Sequence, residues 1–263
     1  MQGRRSGPSE KNIIKKERIS VQKNWDELKK WIQQSHCIVF FGGAGVSTES
    51  GIPDFRSENG IFKTMNEYGF APETILSHSF FLARPDVFFQ YYKKNLLYPH
   101  AMPNKAHKAL AKLEAEGKLK SVITQNIDHL HQKAGSKNVL ELHGSLYRNY
   151  CMDCGKNFDL KYVLQTDGIT KCDCCGGTVR PDVVLYEEGL DQRVLAQAVD
   201  DIANADMLIV GGTSLNVYPA AGLIRYYRGG KLVLINKSAT QYDKNADMVI
   251  SHAIGEVLEY VTQ

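Results

Sequence analysis

Six short, largely apolar runs recur along this chain, over residues 36–41, 119–124, 139–142, 206–210, 231–235 and 247–250. Runs of this kind are expected of strands buried on both faces. Helical spacing of apolar residues separates several of them, over 107–116 and 192–203. It also precedes the first run over 25–34, where Trp25, Leu28, Trp31 and Ile32 share a face and Asn24 stands where an N-cap would. Strands alternating with helices build βαβ units. The expectation is an α/β fold with a doubly wound, parallel, Rossmann-like sheet.

Two stretches break that rhythm. Residues 58–102 are aromatic-rich and helical in pattern, and residues 151–181 are polar and turn-rich around Gly176-Gly177. Together they are expected to form a smaller domain, a helical insertion plus a metal-binding module. The main domain would comprise 21–57, 103–150 and 182–263, behind a basic extension over 1–20. The 263 residues are 43% hydrophobic, enough apolar material for such a core, which sets the chain apart from disordered sequences. The longest fully apolar run, 37–41, falls far short of the ~20 residues of a bilayer span. No apolar signal segment follows the start, so a cytoplasmic location is expected.

The formal charge of +3 divides unevenly. Arg4, Arg5, Lys11, Lys15, Lys16 and Arg18 outweigh Glu10 and Glu17 in the first twenty residues, giving +4 there and −1 for the rest. A near-neutral body lacks the footprint of a nucleic-acid binder, and the leading segment reads as a solvated tail in preference to a short basic helix. The six cysteines argue for metal before disulfides in a reducing compartment. Cys151-x-x-Cys154 and Cys172-x-x-Cys175 form the two-knuckle pattern of a structural zinc site, four thiolates closing a tetrahedron. Cys37 and Cys174 are left over.

In an open parallel sheet, ligands bind beyond the carboxyl ends of the strands. The first run is followed by Gly42-Gly43-Ala44-Gly45-Val46-Ser47-Thr48, where glycines would let backbone approach a phosphate, although a plain tight strand-to-helix turn explains them equally well. The next ends carry Gln125-Asn126-Ile127-Asp128-His129-Leu130-His131, then His143 beside Gly144, then Gly211-Gly212-Thr213-Ser214, then Asn236-Lys237. Glycine, amide, hydroxyl and imidazole groups at five strand ends indicate one cleft for a dinucleotide-like ligand. His143 is the candidate base. His36, His78, His100, His107 and His252 show no constellation of partners, and His129 and His131 could simply cap or line a helix.

Through these motifs the chain closely resembles the sirtuins, NAD-dependent protein-lysine deacylases, in their bacterial form. The resemblance is carried by Gly43-Ala44-Gly45-Val46-Ser47, Ser50-Gly51-Ile52-Pro53-Asp54-Phe55-Arg56, the Thr124-to-His131 stretch, Glu141-Leu142-His143-Gly144, both cysteine pairs, Arg180-Pro181-Asp182-Val183-Val184, and Gly212-Thr213-Ser214-Leu215 with Pro219-Ala220-Ala221. It implies that Gly43, Ala44, Gly45, Thr48, Asp54, Phe55 and Arg56 meet the diphosphate and nicotinamide side of NAD. Gln125, Asn126, Ile127 and Asp128 would hold the nicotinamide ribose and carboxamide, and Gly212, Thr213, Ser214, Asn236 and Lys237 the adenosine end. Val183, Val184, Leu185 and Tyr186 would clamp an extended acyl-lysine peptide by main-chain hydrogen bonds. Asn126 and Asp128 would join His143 in catalysis. The implied reaction sends the acyl oxygen of the modified lysine to the anomeric carbon of the nicotinamide ribose, expelling nicotinamide. His143 then deprotonates a ribose hydroxyl that attacks the imidate, and water completes the release of free lysine and O-acyl-ADP-ribose. Zinc would be structural.

Three positions depart from the family's pattern. Gly42 replaces a threonine, and Tyr186-Glu187-Glu188 replaces Phe-Gly-Glu. Tyr92 and Asn95 stand where relatives that prefer acidic acyl groups carry a Tyr-x-x-Arg pair. Without that arginine, acetyl and other apolar acyl groups are the expected substrates. Competing readings are a protein mono-ADP-ribosyltransferase using the same cleft without His143, a nucleic-acid-binding zinc module, and a conventional dehydrogenase, which would want an acidic ribose ligand. No sequence feature speaks to an oligomeric state.

Overall fold

The computed structural model describes residues 10–54 and 58–263, without the side chains of 10–21, 58 and 59. Nine strands form two sheets: β1 (Ile38–Gly42), β2 (Leu119–Thr124), β3 (Val139–Glu141), β4 (Gly144–Cys151), β5 (Asn157–Asp159), β6 (Val179–Val183), β7 (Met207–Gly211), β8 (Leu232–Ile235) and β9 (Met248–Ile250). All six apolar runs become neighbours in one parallel sheet of order β3-β2-β1-β7-β8-β9. The first strand starts at Ile38 because the His36 and Cys37 amides donate to the Asp206 carboxylate, at 2.7 and 3.2 Å.

The sheet is buried on both faces, as its near-continuous apolar strands require. On one face Ile38, Phe40, Val122 and Ile209 pack with Leu110 and Leu113 of helix Lys105–Ala115 and with Val257 and Leu258 of helix Ile254–Val261. On the other, Val39, Phe41, Ile123 and Val210 meet Ala198 and Ile202 of helix Gln192–Asn204. Asn104 caps the first of these helices and Asp191 the last, each accepting a bond from a first-turn amide.

The leading helix corrects two expectations. It runs unbroken from Glu10 to Gln34, so Asn24 lies inside it and caps nothing, and residues 10–20 are helical where a solvated tail was expected. No glycine or proline interrupts 10–34, and Asn in a helix interior costs well under ~1 kcal/mol, too little to start the helix afresh. Residues 1–9 lie outside the described residues. Among the described residues no helix is long and apolar enough to cross a membrane.

The second sheet is antiparallel, of order β5-β4-β6, with β4 spanning Gly144–Cys151 and β6 Val179–Val183. Residues 58–102 supply helices Glu58–Tyr68, Pro72–Ile75, His78–Ala83 and Pro85–Tyr91, the last continued by a wider turn over Tyr92–Leu96. Phe80, Phe81, Phe88, Phe89, Tyr91 and Tyr92 share one core with Leu146, Leu160, Val163, Val183 and Leu185. The helical stretch and the cysteine-bearing stretch therefore fold around common apolar side chains.

Candidate active site

Beyond β3 the chain builds β4–β6 and rejoins the parallel sheet as β7 on the other side of β1, so the strand order reverses at β1, the point where a ligand crevice is expected at the carboxyl edge. The two glycine turns lie against each other there. Gly45 N–H donates to Gly212 O at 2.8 Å, and a Cβ on Gly45 would sit 2.7 Å from Gly212 Cα. Gly212 has φ 60°, and a Cβ on it would meet Val46 N at 2.4 Å. These glycines are thus required by backbone packing on backbone. Gly42 stays within β1, paired to Thr124 and Gly211.

The loop after β2 is tied into the first glycine turn. Asn126 Nδ2 donates to Gly43 O and to Ser47 Oγ, both at 3.0 Å, and Ser47 Oγ donates to Asp128 Oδ2 at 2.6 Å. Burial pushes the Asp128 carboxyl above its ordinary range, although the Ser47 hydroxyl and Leu130 amide favour its charged form. Gln125 Nε2 donates to Thr213 Oγ1 at 3.1 Å, and Thr213 N–H donates to Asn236 Oδ1 at 2.9 Å, linking the ends of β2, β7 and β8. The Asn236 amide nitrogen is buried with no partner among the described residues, a donor that a ligand in the crevice would satisfy.

His143 ends the β3–β4 turn. Its Nδ1 lies 2.9 Å from Gln125 O; a carbonyl only accepts, so Nδ1 carries the proton and Nε2 the lone pair of the neutral ring. The ring lines a cavity of about 220 Å³ with Ala44, Ser47, Gln125, Asn126, Ile127 and Asp128 on the sheet side, and Val183, Val184, Leu185, Tyr186 and Asn95 on the other. Among the described residues, no lysine or arginine lines it. Tyr92 is buried away from the cavity with its hydroxyl 3.4 Å from Asn149 Oδ1, whereas Asn95 lines it and donates to Tyr68 Oη and Tyr91 O.

The four cysteine sulfurs lie within 4.8 Å of one another. Cys151 and Cys175 Sγ are 3.4 Å apart, and Cys154 and Cys172 Sγ 3.7 Å. Four sulfurs at ~2.3 Å from one tetrahedral ion would stand ~3.8 Å apart, so the set fits zinc. Cys151 and Cys172 are buried and Cys154 and Cys175 exposed; Cys174 stands outside the cluster, its amide directed at Cys172 Sγ.

The Sir2 family profile matches residues 43–219. The chain belongs to the Sir2 family. It is 63% identical over 237 residues to an NAD-dependent protein deacetylase of Clostridium acetobutylicum, covering 90% of this chain and 97% of that relative. A structure solved for the mechanism and regulation of Sir2 enzymes superposes with a TM-score of 0.82 at 38% identity, covering 92% of this chain and 97% of that one. A Sir2–p53 peptide–NAD+ complex superposes with a TM-score of 0.78 at 37% identity, covering 89% and 95%.

The loop after β6 turns through the left-handed region at a non-glycine residue: Glu187 has φ 77°. That conformation costs a non-glycine residue about 1–2 kcal/mol. Glu188 anchors the turn from below. Burial would raise its carboxyl, but two bonds from the Arg180 guanidinium, one from Leu185 N–H and one with His78 hold it down to about 2. His78, expected to be ordinary, is therefore part of this network. Of the main-chain groups over 184–187, Val184 N, both groups of Leu185 and both of Tyr186 bond within the protein, whereas Val184 O and Glu187 N–H enter none of these bonds.

Among the described residues, Thr48, Ser214 and Lys237 do not line the cavity. Thr48 turns its hydroxyl back onto Gly45 O, Ser214 and Lys237 are exposed, Asp54 borders the end of the described stretch, and Phe55 and Arg56 lie outside the described residues. Two residues had no weight in the sequence reading. Ser47, fully buried, bridges Asn126 and Asp128, and Asn104 Nδ2 holds Val46 O and Ser50 Oγ at 2.7 and 3.0 Å. Ser47 stood in the glycine motif; Asn104 carried only a capping signal. His107 and His131 are buried with ring centroids 4.6 Å apart.

Proposed function

We propose that this chain is an NAD-dependent protein deacetylase, acting on acetyl-lysine in an extended peptide and releasing nicotinamide, O-acetyl-ADP-ribose and free lysine. The observation that carries the reading is the meeting of His143 with Gln125, Asn126, Asp128 and Ser47 in a cavity whose opposite wall is the backbone of 183–186. When bound, NAD supplies a ribosyl carbon from which nicotinamide leaves. His143 Nε2 receives the proton of a ribose hydroxyl, and the bond from Nδ1 to Gln125 O steadies the charged ring that results. Asn126 and Asp128 orient the ribose from a loop fixed by Ser47, with Ile127 beside them. Gly43, Ala44, Gly45, Thr48, Asp54, Phe55 and Arg56 form the diphosphate and nicotinamide side, and Gly212, Thr213, Ser214, Asn236 and Lys237 the adenosine side. Cys151, Cys154, Cys172 and Cys175 hold a structural zinc with no open position.

The division into a dinucleotide-binding domain of 21–57, 103–150 and 182–263 and a smaller one of 58–102 and 151–181 belongs to the same reading. So does a cytoplasmic location, since a four-thiolate site needs reduced cysteines. Acetyl and other apolar acyl groups suit a cavity with Asn95 where a carboxylate would need arginine.

Incubation with NAD and acetyl- or succinyl-lysine peptides, followed by mass analysis, tests this directly. Nicotinamide and O-acetyl-ADP-ribose are expected from the acetyl peptide, with much slower turnover of the succinyl one. His143→Ala should lower deacetylation by about 10²-fold or more. Absence of O-acetyl-ADP-ribose from the wild type, or ADP-ribose transfer to protein that survives His143→Ala while deacetylation is missing, would overturn it.

A further inference from the structure

The turn at Glu187 is tied to the helical insertion by the glutamate's own side chain. Its Oε2 accepts from Ser79 N–H at 2.8 Å and its Oε1 from Ser79 Oγ at 2.9 Å, a two-pronged contact to the first turn of helix His78–Ala83. One residue earlier, Tyr186 N–H donates to Leu76 O and His78 N–H donates to Tyr186 O, both at 3.0 Å. One residue later, Glu188 meets His78 Nδ1 at 2.8 Å. Three consecutive residues of the peptide wall are thus bonded to residues 76–79 of the insertion, and the middle one contributes its carboxylate.

We infer that Glu187 is a positioning residue for the substrate peptide: its carboxylate, bonded to Ser79, holds the left-handed turn that aims Glu187 N–H and Val184 O at the bound chain. The inference rests on the deacetylase reading above. A glycine would adopt this φ unaided. With glutamate, the turn's cost is offset by the two bonds the side chain accepts from Ser79. Peptide affinity then depends on a contact between two segments more than a hundred residues apart in sequence, and helix His78–Ala83 becomes part of the peptide-binding apparatus. The His143 ring bonds through Nδ1 to Gln125 O at the end of β2, while Glu187 bonds to Ser79, so the two contacts use different residues.

The test uses steady-state kinetics of the full chain with an acetyl-lysine peptide. Glu187→Ala should raise the peptide KM about five- to tenfold, leaving kcat and the NAD KM within about twofold, the pattern of a lost binding contribution. Glu187→Gly separates strain from bonding: glycine takes the turn without the bridge, so its peptide KM should stay closer to the wild type than that of Glu187→Ala. Glu187→Gln keeps an acceptor for Ser79 and should recover most of the loss. Ser79→Ala should raise KM less, and adding it to Glu187→Ala should change nothing further, since both break one contact. Wild-type peptide KM in Glu187→Ala, a rise in Glu187→Gly as large as in Glu187→Ala, equal falls in kcat and in NAD affinity, or additive effects of Ser79→Ala and Glu187→Ala would overturn the inference. An inactive wild type would sink the deacetylase reading instead, before any variant is compared.

Discussion

At Gly212 and at Glu187 the backbone turns through the same left-handed region, with φ 60° and 77°, yet the two turns are held in unlike ways. Around Gly212 there is no room for a side chain: Val46 N and Gly45 C would lie 2.4 and 2.7 Å from its Cβ. Around Glu187 there is room, and the conformation is kept by side-chain bonds to Ser79. The contrast extends to their surroundings. The cofactor crevice is shaped by main chain packed on main chain, above a sheet buried on both faces. The peptide wall and the cysteine module are held by heteroatoms: an Arg180–Glu188–His78 network, the Glu187–Ser79 contact, and four convergent sulfurs. Backbone packing yields a rigid site that tolerates no substitution. Side-chain chemistry yields one that can be adjusted, and that metal loss or acid can reach.

Removing zinc should separate the two regions most sharply. Structural zinc sites contribute on the order of 10 kcal/mol to local folding. A strong chelator, or Cys172→Ser, should therefore abolish hydrogen-exchange protection in β4–β6 and stop peptide turnover. Both tryptophans, Trp25 and Trp31, pack against the large sheet's core, so their fluorescence should stay native. Simultaneous loss of tryptophan signal and β4–β6 protection would show that the regions are one cooperative unit.

Gly212→Ala should act in the opposite sense, destabilising the crevice and sparing the cysteine module. Left-handed strain plus overpacking against backbone amounts to about 4 kcal/mol. Thermal unfolding followed by tryptophan fluorescence should show the loss, with NAD affinity falling and zinc content unchanged. A wild-type melting curve would refute the packing argument.

Acid should weaken the regions in different windows, by a smaller amount. Burial lowers His107 from 6.5 to about 4, so the unfolded chain binds more protons in that interval. The stability from its neutral ring is complete above pH 6.5 and lost as pH falls through about 4, on the order of 3 kcal/mol at most. Glu188 is held at about 2 against an ordinary 4.5, so its contribution is present above pH 4.5 and lost as pH falls towards 2. Urea midpoints from tryptophan fluorescence should drop between pH 7 and 4, and His107→Gln should flatten that drop. An unchanged slope in the variant would place the acid sensitivity elsewhere.

How far the sequence could be read followed the same division. All six sheet strands were legible because a strand buried on both faces must be apolar throughout, whatever it packs against. The cysteine knuckles were legible because two thiolates on one tight turn are a local arrangement. The crevice residues were found by position, at strand ends. Asn24 misled because its capping preference is weak beside twenty-five residues without a breaker. Ser47, Asn104 and the buried His107–His131 pair were missed because their roles depend on partners brought in by the fold: Asp128 and Asn126 for Ser47, Val46 for Asn104.

By itself, then, the sequence determined which segments pair into the parallel sheet, which thiols gather on a metal, and which strand ends carry polar chemistry, since each follows from neighbours a few residues apart. The tertiary structure decided that the crevice glycines serve each other's backbones, that His143 presents Nε2 by giving its Nδ1 proton to Gln125 O, and that Glu187 takes a glycine's conformation by holding Ser79. Those outcomes depend on contacts across 18 to 167 positions of chain, whose geometry exists only once the two sheets have packed.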